Sequence, residues 1–203
     1  MKSRYLSDSE IEKLFSALDD TGKLLFGICR ETGLRIGDVV KIRRQDIRYV
    51  PNIGNVLTYK AEKTGKTGKC VLSDDIVRAC RLYGGHKFVF SSASARTGHI
   101  TRQTAWNWLK NAARRSGVSL TGCSPHSLRK SFAVNIRHKQ GLEAARIALQ
   151  HSDSAVTAIY AYADVYGGFS PDEPVTWAMI NQLVDLVLCE MEYRRKKEGS
   201  QPS

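Results

Sequence analysis

The chain of 203 residues carries 31 lysines and arginines against 20 aspartates and glutamates, a formal net charge of +11, and 42% of it is hydrophobic, as a folded protein with a substantial core requires. That surplus points to a polyanionic partner, nucleic acid rather than an anionic membrane surface: no apolar run approaches the roughly 18 residues of a spanning helix, and the N-terminal MKSRYLSDSE lacks the apolar stretch of a signal peptide. Cysteines 29, 70, 80, 123 and 189 are scattered and odd in number, which excludes a disulfide framework and fits free thiols in a reducing cytoplasm; Cys123-x-x-His126 is half of a metal site with no second pair to complete it.

Leu6-Ser7-Asp8-Ser9-Glu10-Ile11 predicts a helix start, with Ser7 as N-cap, Glu10 closing a capping box and Leu6 stapled onto Ile11. A second helix is expected from Lys23 to about Thr32, stopped by Gly33, and a short third from Ile36 towards Ile42. The period then changes. NVLTYKA (55–61) and KCVLS (69–73) flank KTGKTG (63–68), a pattern for a β-hairpin. Ser73-Asp74-Asp75 opens a helix to about Tyr83, and Phe88-Val89-Phe90 reads as a short strand. Thr101 to Ser116 reads as helix, with Trp106, Leu109 and Ala113 on one stripe. From Pro125 onward the pattern is almost wholly helical, broken by the loop GGFSPDEP (167–174) before a last helix. No internal repeat or interdomain linker is present. The expected fold is mainly α with a small antiparallel β-sheet (α+β): one domain over residues 1–170, followed by a tail helix in 171–203.

Four stretches hold polar residues that a purely structural role explains poorly: TGLRIGD (32–38), KTGK (63–66), PHSLRKSF (125–132) and LQHSDSAVTAIY (149–160). Arg35 follows directly on a helix stop, and His126 and Arg129, three apart, share a helix face. Each arginine taken alone reads as a solvated charge. His151 and Tyr160 lie nine residues apart, about two and a half helical turns, and would face opposite ways on one straight helix. Ser152, Asp153 and Ser154 can cap a new helix near Ala155, which removes that obstacle. Alone, the pair reads as a polar helix terminus and a core aromatic.

In this order and with these separations, the four stretches resemble the catalytic domain of the tyrosine recombinase, or phage integrase, family over about residues 6–165. The resemblance rests on T-G-L-R-I-x-[DE], a lysine in a β-hairpin, H-x-L-R followed by S-F-A, and L-x-H with a tyrosine nine residues on. It implies that Arg35 and Arg129 are the arginine pair, Lys63 the hairpin lysine, His126 and His151 the two histidines, Tyr160 the nucleophile and Asp38 the acid that braces the first arginine. Gln150 departs from the glycine usual before the second histidine. The chemistry suits such a set. Two planar, permanently charged guanidinium forks can hold the oxygens of a phosphodiester and offset the charge of its transition state, a task a metal performs elsewhere. A tyrosine attacking phosphorus conserves the bond as a phosphotyrosyl ester, so neither metal nor cofactor is expected. A lysine among cations suits protonation of the leaving 5′ oxygen.

Lys66 repeats the local KTG of Lys63 and stays a rival for that role; otherwise Lys66 and Lys69 read as DNA phosphate contacts. Tyr162 and Tyr166 rival Tyr160 by proximity alone. The resemblance implies double-stranded DNA with a recombination site as partner, self-association as a dimer or tetramer on DNA, accessory DNA-bending proteins, no membrane, and a cytoplasmic, nucleoid-associated location. Integration, excision and inversion are equally open. Two other functions fit part of the pattern: a type IB topoisomerase, which reseals its own cut, and a non-catalytic DNA-binding module. The tail stripe Trp177, Ile180, Leu183, Val184, Val187, Leu188 and Met191 suits docking on a neighbouring subunit or packing on its own domain. Family members usually carry an N-terminal helical domain, so the chain reads either as a short member or as the catalytic part of a longer protein.

Overall fold

In the computed structural model, which describes residues 3–140 and side chains as far as residue 136, the chain starts as its end signals dictate. The Ser7 hydroxyl accepts from the Glu10 N–H while the Glu10 carboxylate accepts from the Ser7 N–H, and this box opens helix α1 (Asp8–Ser16). Leu6 and Ile11 are both buried on its inner side. Arg4 pairs with Glu10 at 2.6 Å and donates from Nε to the Thr121 carbonyl, tying the N-terminus to a segment far along the chain.

Helix α2 (Asp20–Thr32) begins three residues earlier than the apolar pattern indicates, because Asp19 caps it by accepting from the Gly22 N–H at 2.7 Å. It ends at Gly33, whose φ of 64° is the left-handed conformation that favours glycine. A side chain there would also collide with the ring of Phe132. Buried residues cover most of the circumference of α2, and it touches α3 (Ile36–Val39), α4 (Asp74–Tyr83), α5 (Arg102–Ser116), α6 (Pro125–Gln140) and strand β3 (Thr67–Leu72). Only a narrow stripe, Asp20, Lys23 and Glu31, is exposed to water, and a helix with so wide an apolar face belongs against the centre of the core. Leu25, Phe26, Ile28, Leu57, Phe90, Leu109 and Leu128 fill the space around it.

The sheet is a three-stranded antiparallel meander, β1 (Ile47–Val50), β2 (Gly54–Lys60) and β3. The predicted hairpin is β2–β3, with Leu57 opposite Cys70 and Lys60 opposite Thr67. Its loop closes through Ala61 N–H to the Lys66 carbonyl at 2.8 Å, and Gly65 supplies a φ of 67°. Strand β1 is an addition to the sequence-based expectation. It is an edge strand of four residues with Arg48 and Tyr49 exposed, too short and too polar to show a period. Helix α3 spans only four residues, shorter than expected. Phe88–Phe90 is buried but is not the short strand predicted: Val89 donates to Ile42 and Phe90 accepts from Ile100, so its backbone is shared between two loops.

Ser73 caps α4, and both its N–H and hydroxyl donate to the Glu31 carboxylate, joining the sheet's exit to α2. Thr101 caps α5, which buries Ala105, Leu109, Ala112 and Ala113 and stops at Gly117. Pro125 occupies the first turn of α6, where its missing N–H costs nothing. No helix among the described residues is long and apolar enough to cross a membrane. His151, Tyr160, the loop 167–174 and the tail helix expected in 171–203 lie outside the described residues.

Candidate active site

The site is assembled around the end of α2. Thr32 turns its hydroxyl back to the Ile28 carbonyl at 2.6 Å and accepts from the Leu34 N–H, Gly33 reverses the chain, and Arg35 emerges as the residue that starts α3. Arg35 is half-buried, and its guanidinium has no hydrogen bond or ion pair among the described residues. Arg129 arrives from α6, only 3% exposed, and donates to the Gly33 carbonyl. Two arginines 94 positions apart in sequence are thereby brought to one helix terminus, where Arg129's guanidinium is anchored. The partial negative charge at the C-terminus of α2 favours a buried cation at that place.

Asp38, 5% exposed on α3, accepts from the Glu62 N–H at 2.9 Å. The Glu62 carboxylate in turn meets Lys41 at 3.3 Å. What Asp38 directly braces is therefore the β2–β3 loop, and with it Lys63. Lys63, Arg35, Arg129 and His126 all line one cleft of about 420 Å³. Lys66 and Lys69 do not line it: Lys66 is exposed beyond the turn and Lys69 is exposed on β3 opposite Thr58.

Burial, then the charges of Arg129, Lys130 and Arg35, pushes the His126 imidazole down to about 4. The residue as a whole stays exposed, so the cations are the part of that cause that persists when water enters. The ring is neutral near pH 7 and able to accept a proton. Cys29, buried on α2, is pushed up to about 12 by desolvation, and Cys70, Cys80 and Cys123 are likewise free thiols raised by burial. Burial also raises the Tyr59 phenol on β2, with the charges of Arg129 and Arg35 acting against it. These groups stay protonated at neutral pH and supply no nucleophile.

The cleft holds one cation that sequence reasoning missed: Arg102, the first residue of α5. It sits between a threonine cap and a glutamine, where nothing marks it as more than surface charge. The available signal was its place in a first helical turn with no acidic residue.

The domain is thus mainly helical with a three-stranded meander, and two arginines, a hairpin lysine and a histidine line one cleft whose cations suit an anionic ligand. The family model described as Phage integrase family matches residues 4–165, and the chain belongs to that family. Its relatives include the tyrosine recombinase XerD of Listeria innocua serovar 6a, 29% identical over 189 residues, covering 83% of this chain and 63% of that protein. The tyrosine recombinase XerD of Pasteurella multocida is 26% identical over 175 residues, covering 78% and 58%. The chain thus spans about three-fifths of the length of the curated relatives it matches. Among solved structures, a post-cleavage complex of the XerH site-specific recombinase bound to palindromic difH substrate superposes with a TM-score of 0.68 at 18% identity, over 82% of this chain and 52% of that one. A lambda integrase (75–356) dimer bound to a COC′ core site gives 0.66 at 22%, over 86% and 62%. At such identities the likeness establishes the fold, that of a tyrosine recombinase catalytic domain.

Proposed function

We propose that the chain is the catalytic part of a site-specific DNA recombinase that cuts and rejoins strands through a 3′-phosphotyrosyl intermediate. The observation that carries this reading is the convergence of Arg35, Arg129, Lys63 and His126 on one cleft, with Arg35 lacking a carboxylate partner among the described residues. Three stretches distant in sequence supply those groups, and a phosphodiester is the substrate that uses all of them.

In the reaction, Arg35 and Arg129 hold the non-bridging oxygens of the scissile phosphate. The Tyr160 hydroxyl attacks phosphorus, giving up its proton with help from neutral His126. The bond to the 5′ oxygen breaks, and Lys63 protonates that oxygen as it leaves. His151 donates a hydrogen bond to a phosphate oxygen. Attack by a 5′ hydroxyl of DNA on the phosphotyrosyl ester reverses each step and rejoins the strand. The bond energy is conserved throughout, so this chain's own side chains suffice.

The partner in this reading is double-stranded DNA with a recombination site. The relatives' structures with DNA, one of them a dimer and another a lambda integrase tetramer bound to a Holliday junction, support self-association on that DNA. Residues 171–203 are proposed as the tail that links subunits, and residues 1–170 as the catalytic domain. The location is the cytoplasm, at the nucleoid. The test is incubation with nicked suicide duplexes drawn from a random-sequence pool, followed by peptide mapping of the covalent product. The expected outcome is a 3′ adduct on the peptide containing Tyr160. Affinity for duplex DNA that is indifferent to salt would remove nucleic acid as the partner, since neutralised phosphates release counterions.

A further inference from the structure

Arg102 stands in the cleft for reasons that helix formation does not supply. As the first residue of α5 it places a full positive charge at the end of a helix where the backbone dipole is also positive, and no aspartate or glutamate lies in that turn to offset it. Its guanidinium has no hydrogen bond or ion pair among the described residues. The exposed carboxylate lining the cleft, Glu62, is engaged by Lys41 at 3.3 Å. Local stability would favour an acid at this position, and the chain has an arginine that lines the same cleft as Arg35, Lys63 and Arg129.

Its stem is also specifically accommodated. Gly37, two residues past Arg35, has no side chain, and a Cβ built there would lie 3.0 Å from Arg102 Cδ and 2.8 Å from Glu62 Oε2. Gly37 has no positive φ to explain the glycine. The bare backbone of α3 is thus the surface across which Arg102 reaches the cleft.

We propose that Arg102 is a phosphate-positioning residue: it holds a DNA phosphate adjoining the scissile one and sets the register of the strand in the cleft. This rests on the recombinase reading above. In the recombinase reading, Arg35, Arg129 and His151 already serve the two non-bridging oxygens of the scissile phosphate. A third guanidinium, whose stem lies against the Gly37 backbone of α3, finds its acceptor on the next phosphate along the chain. Such contacts fix position without reading sequence.

Two measurements test this. On a labelled 30-base-pair duplex of arbitrary sequence, wild type, Arg102→Ala and Arg102→Lys are titrated from low to physiological salt. The alanine variant is expected to bind roughly tenfold more weakly. Its slope of log affinity against log salt should be shallower by about 0.9, the change expected when one phosphate fewer is neutralised. Lysine should restore the slope. Melting of Arg102→Ala should match or exceed wild type, because a cation is removed from a helix start. On a duplex that wild type cleaves, a single neutral methylphosphonate is then walked along the phosphates flanking the cleaved one. One adjoining position should slow wild type and leave Arg102→Ala indifferent. An Arg102→Ala slope equal to a normal wild-type slope overturns this inference alone, whereas a wild type insensitive to salt overturns the recombinase reading itself. Sensitivity only at the cleaved phosphate, or an altered base preference in Arg102→Ala, overturns the assignment to an adjoining phosphate.

Discussion

Arg129 donates to the carbonyl of Gly33, the residue that caps α2. A backbone acceptor that would otherwise be left over at a helix end becomes the seat of a buried guanidinium, two residues before Arg35. Folding and site assembly are therefore the same event here: the turn that ends α2 is also the turn that brings the two arginines to one cleft.

Gly33→Ala should be severely destabilising. The residue has φ 64°, and an added Cβ would collide with Phe132, the α6 residue one turn beyond Arg129. Backbone strain and the displaced ring together predict a loss of about 2–4 kcal/mol, read as a lower melting temperature. Gly117→Ala is the control: φ is 72° but nothing lies within 4 Å of the new Cβ, so only the backbone cost of about 1 kcal/mol is expected. Equal losses at the two positions would show that Phe132 gives way freely and that Gly33 does not fix α6.

Lys63 lines the cleft and Lys66 does not, which separates two lysines that the sequence leaves as rivals. Lys63→Ala should slow cleavage of an ordinary phosphodiester far more than it weakens binding. A 5′-phosphorothiolate substrate, whose sulfur leaves without a proton, should restore the rate. Lys66→Ala should show the reverse pattern, weaker binding with near-normal single-turnover cleavage. If the phosphorothiolate rescues neither variant, proton donation belongs to another group.

Asp38 predicts the same rescue by a different route. Its carboxylate holds the Glu62 N–H at 2.9 Å in a nearly dry setting, so Asp38→Ala should cost about 1–3 kcal/mol and loosen the loop that carries Lys63. Asp38→Asn keeps an oxygen in place and should cost less. If Asp38 acts by positioning Lys63, the alanine variant's cleavage defect shrinks on the phosphorothiolate substrate. A defect equally deep on both substrates would put Asp38's role elsewhere in the cleft.

How far the sequence alone discloses this arrangement depends on how local each signal is. Caps and stops are local: Ser7 with Glu10, Gly33, Ser73 and Thr101 all do in the structure what their residue types predict. The hairpin was legible because Thr-Gly turns interrupt two apolar runs. Strand β1 was not, since an exposed edge strand carries no alternation to detect. Phe88–Phe90 misled because burial on all sides produces a strand-like apolar run wherever the backbone bonds go. In the site, Arg35, Lys63, His126 and Arg129 could be picked out by family resemblance, and the structure brings them to one cleft. Arg102 escaped because its meaning is wholly tertiary, resting on the bare Gly37 backbone and on partners already engaged.

His126 gives stability a pH dependence whose sign can be worked out. Its imidazole takes a proton at about 4 in the folded chain, against an ordinary value of 6.5, so between those values the unfolded chain binds more protons. Its contribution to stability is present above about pH 6.5 and is lost as pH falls towards 4. Denaturant midpoints for wild type should decline across that window, and His126→Gln, which cannot take up the proton, should decline less. Parallel curves would mean that the cations near His126 are screened by water more strongly than their arrangement indicates.

Tyr160 carries the most exposed claim, since it lies outside the described residues and rests on its nine-residue offset from His151. Tyr160→Phe removes one oxygen and keeps the ring, so folding should be little changed. DNA binding should survive, because Arg35, Arg129 and the hairpin lysines are intact. What must disappear is the covalent product on a suicide duplex: phenylalanine has no nucleophile, and guanidinium groups alone can only hold a phosphate. Tyr162→Phe and Tyr166→Phe, handled identically, should still be trapped on DNA. The described tyrosine that feels the charges of Arg35 and Arg129, Tyr59, is held protonated by burial and should also be dispensable for adduct formation. A Tyr160→Phe chain that still attaches to the 3′ phosphate at wild-type yield would move the nucleophile to Tyr162 or Tyr166, while leaving the cleft of Arg35, Lys63, His126 and Arg129 in place.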